Sequence, residues 1–519
     1  TYLSGSNWNL LSQFNDFSHA YLSNTTGQAS VDADGNIVET RVVGGGPANA
    51  YRRASYFGRV SYNFKEKYIV NATLRKDGSS KFANGNRWGI FPSVSAGWIM
   101  SNEDFYSAAS LSSLVNYFKF RASWGQVGNQ NIDDFMFAAP INTSTNFSGS
   151  NPAAFYTFGT NNLNVPGAYP SRLSNPQLSW ETSEQTNIGF DAAMLTNRLT
   201  VAFDFYVKTT KDWLVTPPIL ATVGTGAPII NGGSVKNTGV ELGLNWHDKI
   251  GEITYRVGVN GAYNKNRVGK IPTEDGIIHG QTNMLYDNSE EFYRAQNGYA
   301  IGYFWGYKTD GLFQSQDEID QWLEDDKAVL QPNVKPGDVK YVDVNRDGVI
   351  NNEDKVNLGN GMPKVTLGFN VSVDYKGFDL TVNAFGALGN KIVQSYRNHT
   401  NKQANYTSAI LDRWTGEGTS NRIPRVTETN INWQFSDLYV HNGSYLRISN
   451  ITLGYDLSRL IQWNTLSQCR VYVQAQNLLT FTKYDGMDPE IGYGTDGWVS
   501  GVDLGYYPRP RILMVGANI

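Results

Sequence analysis

The chain has 519 residues, a formal net charge of −4, 17% charged and 13% aromatic residues, and 52 glycines. No block of Lys or Arg supplies the footprint of a nucleic-acid binder, and the single Cys469 excludes a disulfide framework within the chain. No run of 18 apolar residues occurs, so no transmembrane helix and no signal peptide is read. A mean hydropathy of −0.39 with so few charges suits strands that are apolar on one face and wet on the other.

Residues 1–55 are polar, rich in Asn, Ser and Gly, and show no sustained alternation. They read as an extracellular loop region whose preceding strand lies upstream. From Tyr56 a period of two takes over. In Tyr56–Phe64 the residues Tyr56, Gly58, Val60, Tyr62 and Phe64 share one face, with Arg59, Ser61 and Asn63 on the other. After Lys65–Lys67, Val70, Ala72 and Leu74 oppose Asn71, Thr73 and Arg75. In Phe118–Trp124, Phe118, Phe120, Ala122 and Trp124 oppose Lys119, Arg121 and Ser123. The same alternation marks Trp88–Met100, Trp180–Met194, Leu199–Lys208, Val235–Trp246, Ile253–Asn264, Val365–Tyr375, Phe378–Gly386, Tyr445–Leu457, Cys469–Asn477 and Arg511–Ile519. These make about 13 strands of roughly 9–12 residues, the length a tilted strand needs to cross a bilayer. The expected fold is all-β: residues 56–519 form part of an antiparallel transmembrane β-barrel.

The connections alternate in length. Lys65–Lys67, Thr196–Arg198, His247–Glu252 and Lys376-Gly377 are short; 125–179, 209–234, 265–364, 387–444 and 478–510 are long and polar. Short periplasmic turns and long extracellular loops are the habit of such barrels. Ile301–Tyr307 and a helix at Gln316–Lys327 are placed inside the 265–364 loop. With 13 strands the first and last run parallel, whereas bacterial barrels close with an even number. The chain is therefore expected not to close on itself and to need strands from another segment.

One motif carries metal chemistry. In Asp343–Asp354 (DVNRDGVINNED) oxygen ligands fall at Asp343, Asn345, Asp347, the Val349 carbonyl and Asn351, with Gly348 at the sharp turn and Asp354 at position 12. This is the spacing of a calcium loop, here without flanking helices and with Asp in place of the usual Glu; its expected role is structural. The alternative is an acidic turn held by Asx hydrogen bonds. Loop aromatics Tyr156, Phe158, Tyr169, Trp213, Tyr303, Trp305, Trp433 and Trp498 are candidate ligand contacts, or else pack the loops against one another. Phe91, Trp98, Trp124, Trp180 and Trp246 lie near strand ends and read as interfacial girdle residues. The five histidines are scattered, and no GxSxG, CxxC or HExxH occurs, so no catalytic site is assigned.

The segments YFGRVSYNFKEKYIVNATLRKDGSSKFANGNRWGIFPSVSAGWIMSNEDF (Tyr56–Phe105), FKFRASWGQVGNQ (Phe118–Gln130), LSWETSEQTNIGFD (Leu178–Asp191), NTGVELGLNW (Asn237–Trp246), GYFWGYKTDGLFQ (Gly302–Gln314), GSYLRISNITLGYDL (Gly443–Leu457) and VYVQAQNLLTFTKYDGMDPE (Val471–Glu490) together resemble SusC/RagA-type TonB-linked outer-membrane transporters. The resemblance implies a 22-stranded barrel in the Gram-negative outer membrane, plugged by an N-terminal domain. It further implies a SusD-like surface lipoprotein as lid and import of oligosaccharides or peptides driven by the TonB complex. The chain departs from that pattern in lacking the plug and the box that TonB engages, and in ending at Ile519 rather than an aromatic residue; the remaining barrel and plug are expected on another segment. Two other readings are a surface-binding or adhesion barrel without transport and a barrel-embedded hydrolase.

Overall fold

The computed structural model describes residues 51–107, 110–143, 168–217, 219, 221–282, 284–285, 291–324, 331–397, 401, 403–428, 431–460, 469–491 and 497–519, with the backbone of 29–31, 37–40, 155–158 and 163–166. The two earliest segments, Ala29–Val31 and Ile37–Thr40, pair as a small hairpin; the rest of the expected N-terminal loop before residue 51 lies outside the described residues.

Thirteen strands form one sheet in chain order, each antiparallel to the next. They are β1 (Arg53–Phe64), β2 (Tyr68–Ser79), β3 (Trp88–Ile99), β4 (Val115–Asn129), β5 (Glu181–Met194), β6 (Leu199–Lys211), β7 (Ser234–Ile250), β8 (Ile253–Val268), β9 (Val365–Tyr375), β10 (Phe378–Leu388), β11 (Tyr445–Asp456), β12 (Arg470–Thr482) and β13 (Ile512–Asn518). Several run longer than their apolar pattern. β7 and β8 continue to a two-residue link at Gly251-Glu252, shorter than the expected His247–Glu252. At Lys376-Gly377 both residues have positive φ, 48° and 91°. That is the mirror-image turn whose twist matches paired strands.

Register carries the two faces across the sheet. One row reads Ala122, Ile188, Phe205, Val240, Tyr263, Val365 from β4 to β9. The row one residue along reads Arg121, Gly189, Asp204, Glu241, Ala262, Thr366. The first face is apolar yet exposed, with Ile188 56% and Leu242 43% accessible, as expected where lipid replaces a protein core. The second is polar and cross-linked. Arg121 pairs with Asp204 through both Nη atoms (2.9 and 3.0 Å) and with Asp191 at 2.8 Å. Gly189 lies between them; a Cβ there would meet Asp204 Oδ1 at 2.5 Å, so glycine clears the guanidinium's path. On the far strands Asn370 donates to Asn383 at 2.5 Å, Gln474 to Asn450 at 2.5 Å, and Arg470 Nε to Asp379 at 2.7 Å. Lys119, Arg121 and Arg75 thus share the polar luminal side, and Phe118, Phe120 and Leu74 the apolar side.

Near the short turns the apolar face is aromatic. Trp98 stacks on Phe120, Phe118 on Phe190 and Phe190 on Phe203, while Trp246 Nε1 donates to the Tyr255 hydroxyl at 3.2 Å. Phe91 and Trp180 depart from the girdle reading. Phe91 pairs with Arg75, on the luminal side, and packs with Phe82, Leu178 and Trp180 in a buried cluster. Their position near strand ends misled because strand ends also abut the loops.

Among the described residues β1 and β13 do not pair with each other, and both edges of the sheet are open. Every residue of β1 is exposed. The sheet is thus the odd-numbered, unclosed arc that the parity of the connections requires.

Because lipid-side cations cost about 2–4 kcal/mol at the bilayer midplane, Leu242→Lys in the full-length receptor should sharply reduce the heat-modifiable folded form in outer membranes. Gln185→Lys, on the luminal face, should leave it near the wild-type amount. Equal yields would reverse the assignment of faces.

Candidate extracellular cap and its cavity

The described parts of loops 269–364, 389–444 and 483–511 build a second folded layer above the long-loop ends of the strands. They carry their own sheets: Ile277–His279, Tyr293–Gln296, Tyr303–Gly306 and Val356–Asn360 form one, and Val440–Asn442, Lys391–Gln394 and Val502–Asp503 another. Ile301–Tyr307, placed in this loop from its sequence, contributes the Tyr303–Gly306 strand. The helix expected at Gln316–Lys327 is α1 (Gln316–Glu324), with Ile319 buried and Trp322 edge-on to Phe313. Leu285, Phe292, Tyr293, Phe304, Val393, Phe435, Tyr439, Val499 and Val502 make a common core. Loops this long are ordered only by such burial.

Two buried polar knots fasten the cap. Arg447, on β11 and 4% exposed, pairs with Asp488 at 2.5 Å and Glu490 at 3.0 Å, and Arg509 closes on Glu490 at 2.9 Å. Burial works to raise the Asp488 carboxyl, but the Glu490 and Arg509 amides and the Arg447 guanidinium outweigh it and hold it below its ordinary range. The second knot is Asp503, fully buried, accepting from Tyr396 at 2.5 Å, Tyr484 at 2.7 Å and Gly505 N at 2.9 Å. Burial first, then Tyr396 and Asp503, pushes the Tyr484 phenol up. Neither knot was singled out from the sequence, although Asp488 and Glu490 stand in the quoted YDGMDPE stretch.

The aromatic candidates divide. Tyr303 is 2% exposed, donates to Gln296 at 2.5 Å and stacks on Tyr299. Trp305 lies between Arg294, 3.1 Å from its ring centroid, and Lys355 at 4.6 Å. Trp213 meets Trp498 edge-on, and Trp498 leans on Tyr293. These four pack loops. Tyr169 is half-buried on a short strand paired with Ile141–Thr143. The backbone of Tyr156 and Phe158 forms a small hairpin with Leu163–Pro166, and their side chains lie outside the described residues. Trp433 lines a cavity.

That cavity, about 450 Å³, lies among Tyr396, Arg397, Tyr406, Arg422, Trp433 and His441 of one loop and Asp485 of the next. The Arg397 guanidinium covers the Tyr406 ring at 3.7 Å. His441 Nδ1 faces Asp485 at 3.1 Å; burial lowers this imidazole, against the pull of Asp485. Aromatic faces beside forked cations and carboxylates can grip sugar rings or peptide side chains alike. A larger hollow of about 920 Å³ runs along β1–β5, lined by Arg59, Asn71, Thr73, Arg75, Ser93, Ser95 and Gln185 together with Phe91, Trp124 and Trp180.

The 343–354 loop folds as a self-bonded turn. Asp343 accepts from Arg346 N and Gly348 N, Asn345 Oδ1 from Asp347 N, Asp347 Oδ1 from Val349 N, and Asn351 Oδ1 from Glu353 N. Asp354, fully buried, accepts from Val344 N at 2.8 Å and Asn351 N at 2.8 Å. Gly348 takes φ +87°, the conformation its position demands. Among the described residues no three His, Cys, Asp or Glu side chains converge to hold a metal. A calcium ion here needs the amide oxygens of Asn345 and Asn351 and the Val349 carbonyl as well.

The family model described as "TonB dependent receptor-like, beta-barrel" matches residues 1–478. TonB-dependent receptor P3 of Formosa agariphila is 32% identical over 486 residues, covering 91% of this chain and 46% of that protein. TonB-dependent receptor SusC of Bacteroides thetaiotaomicron is 29% identical over 474 residues, covering 90% and 43%. The solved RagAB peptide transporter superposes with a TM-score of 0.72 at 24% identity, over 90% of this chain and 47% of that one. The chain thus spans less than half the length of the relatives it matches. With its sheet, alternating faces and SusC/RagA-like motifs, the chain belongs to the TonB-dependent receptor β-barrel family of the Gram-negative outer membrane.

Proposed function

We propose that this chain supplies part of the wall and the extracellular cap of a TonB-dependent importer for a large nutrient, an oligosaccharide or a peptide. The observation that carries the reading is a polar, cross-linked luminal wall beneath a folded cap that keeps an aromatic and charged cavity. A wall serving adhesion alone would need the cap but not a wet lumen. Upstream strands and a plug complete the barrel, TonB supplies energy through that upstream part, and a SusD-like lipoprotein covers the cap. The SusC relative and the RagAB peptide transporter support this assignment at the level of the whole receptor.

Full-length receptor in its own host should accumulate labelled oligosaccharides or peptides only while TonB is functional, and a SusD-like lipoprotein should co-purify with it. Replacing the cavity residues, Arg397→Ala with Trp433→Ala, should reduce uptake tenfold or more at subsaturating substrate, with barrel yield unchanged. Uptake indifferent to TonB would remove the importer assignment.

The 343–354 loop is proposed to hold a structural calcium ion through Asp343, Asn345, Asp347, the Val349 carbonyl, Asn351 and Asp354. Apart from Asp354 Oδ1, which accepts from both Val344 N and Asn345 N, each side-chain oxygen accepting an amide keeps a second lone pair, so loop bonds and cation are compatible. At a hundredfold excess over its dissociation constant, such an ion stabilises the folded loop by about 2.7 kcal/mol. Proteolysis of the full-length receptor at this loop should therefore slow on adding calcium, and Asp343→Ala with Asp347→Ala should abolish the slowing. Identical cleavage with calcium and with chelator would leave only the Asx-bonded turn.

A further inference from the structure

The apolar outer face ends abruptly on β7 and β8. Above the row that holds Val240 and Tyr263, the next outward pair is Thr238 with Lys265, and the next is Lys236 with Arg267. Lys236, Lys265 and Arg267 are all exposed. Lys236 and Arg267 are direct cross-strand partners of like charge, an arrangement that destabilises a sheet unless an anion lies between or above them. On the adjoining strands the same level is self-neutralised, since Lys211 pairs with Glu184 at 2.9 Å. Here it is not: among the described residues Lys236, Lys265, Arg267 and Lys364 make no ion pair or side-chain hydrogen bond.

β8 outruns β9 beyond Tyr263, and Asn264 N instead bonds Lys364 O at 2.9 Å. The gap so opened is a cavity of about 300 Å³ whose lining includes Lys265, Arg267 and Lys364, with Tyr263 and Tyr299, and no Asp or Glu. Asn264 and Asn266 on the alternate positions bond Asn237 on the luminal side, so Tyr263, Lys265 and Arg267 belong to the outward face. The cavity is lined by Asn264 and Asn266 as well, but its cations lie on the face turned away from the lumen.

We propose that this cavity and the adjoining Lys236 form a binding site for the phosphate groups of the outer-leaflet glycolipid. The three lining cations and Lys236 neutralise phosphate, and Tyr263 and Tyr299 (45% and 43% exposed) offer faces to the sugar that carries it. The site rests on the outer-membrane location and not on transport.

The test titrates phosphorylated lipid A, and separately its dephosphorylated form, into full-length receptor in phosphatidylcholine nanodiscs. The phosphorylated form should bind more tightly. Each cation removed should weaken it about fivefold, so Lys265→Gln, Arg267→Gln and Lys364→Gln combined should lose about a hundredfold. Lys265→Arg should retain binding, as should Lys376→Gln at a periplasmic turn. If the triple variant loses heat-modifiable folding, Lys236→Gln and Arg267→Gln are read singly, each with the fivefold loss. Equal binding of the two lipid forms, or wild-type affinity in the triple variant, overturns the site. Displacement of lipid by inorganic phosphate at matched concentration assigns it to a soluble anion instead and overturns the lipid. Recovery of the receptor in outer-membrane fractions, scored separately, tests the location on its own.

Discussion

A strand in hydrocarbon has no water to satisfy its amides and carbonyls, and each group left alone costs several kcal/mol. Every strand must therefore find a partner on both sides, and the residues must alternate between lipid and lumen because the side-chain period is two. The rest of the molecule follows. Ile188 and Leu242 are exposed because lipid is their core, and Arg121 lies inside because two aspartates and a glycine make room for it there. The same obligation makes the unpaired edges of β1 and β13 incompatible with an isolated arc, since thirteen antiparallel strands cannot meet edge to edge with the right polarity.

Above the membrane the constraint relaxes and a different one applies. Loops of this length lose much conformational entropy on ordering, and here they recover it by becoming a small globular layer. Its apolar core draws residues from all three long loops, the Asp503 knot joins two of those loops, and the Arg447 knot ties the layer to the wall. Arg447 is the decisive link: it belongs to a barrel strand, yet its partners Asp488 and Glu490 belong to the loop that follows β12. Removing one partner would leave the other charges buried and unpaired, far costlier than losing a surface pair. The cap is thus held at a defined height over the lumen.

How far this was legible in the sequence depends on whether local periodicity determines the element. All thirteen long strands were, because alternation such as Phe118-Lys119-Phe120-Arg121 is a local signal, and so was the failure to close. The full lengths of β7 and β8 were not: β7 runs on past Trp246 through His247–Ile250 to its turn, and β8 past Asn264 through Lys265 and Arg267, where apolar alternation stops while pairing continues. The roles of Tyr303, Trp305, Trp213 and Trp498 turned on tertiary packing: an aromatic that grips a ligand and one that pins two loops look the same in a chain. Phe91 shows the reverse error, in which closeness to a strand end suggested lipid where the register points to the lumen, and Trp180 packs against it in the same buried cluster. The cavity at Arg397 and His441 joins residues far apart in the chain to Asp485 across two loops, and no spacing rule foretells that.

Polarity therefore changes in steps along the strand direction rather than between domains. Aromatic pairs such as Trp98 with Phe120 mark the periplasmic side; aliphatic rows fill the middle. Then, within two rungs of Tyr263, exposed cations appear on the outer face while the inner face continues as hydrogen-bonded Asn237, Asn264 and Asn266. A strand that merely emerged into water would gain nothing from placing Lys236 against Arg267, because Lys–Glu pairing of the kind seen at Lys211 and Glu184 satisfies the same surface without repulsion. Like charges in register lose their mutual penalty where the surrounding phase is itself anionic. The outer wall is thereby matched to the leaflet it stands in, as the inner wall is matched to water.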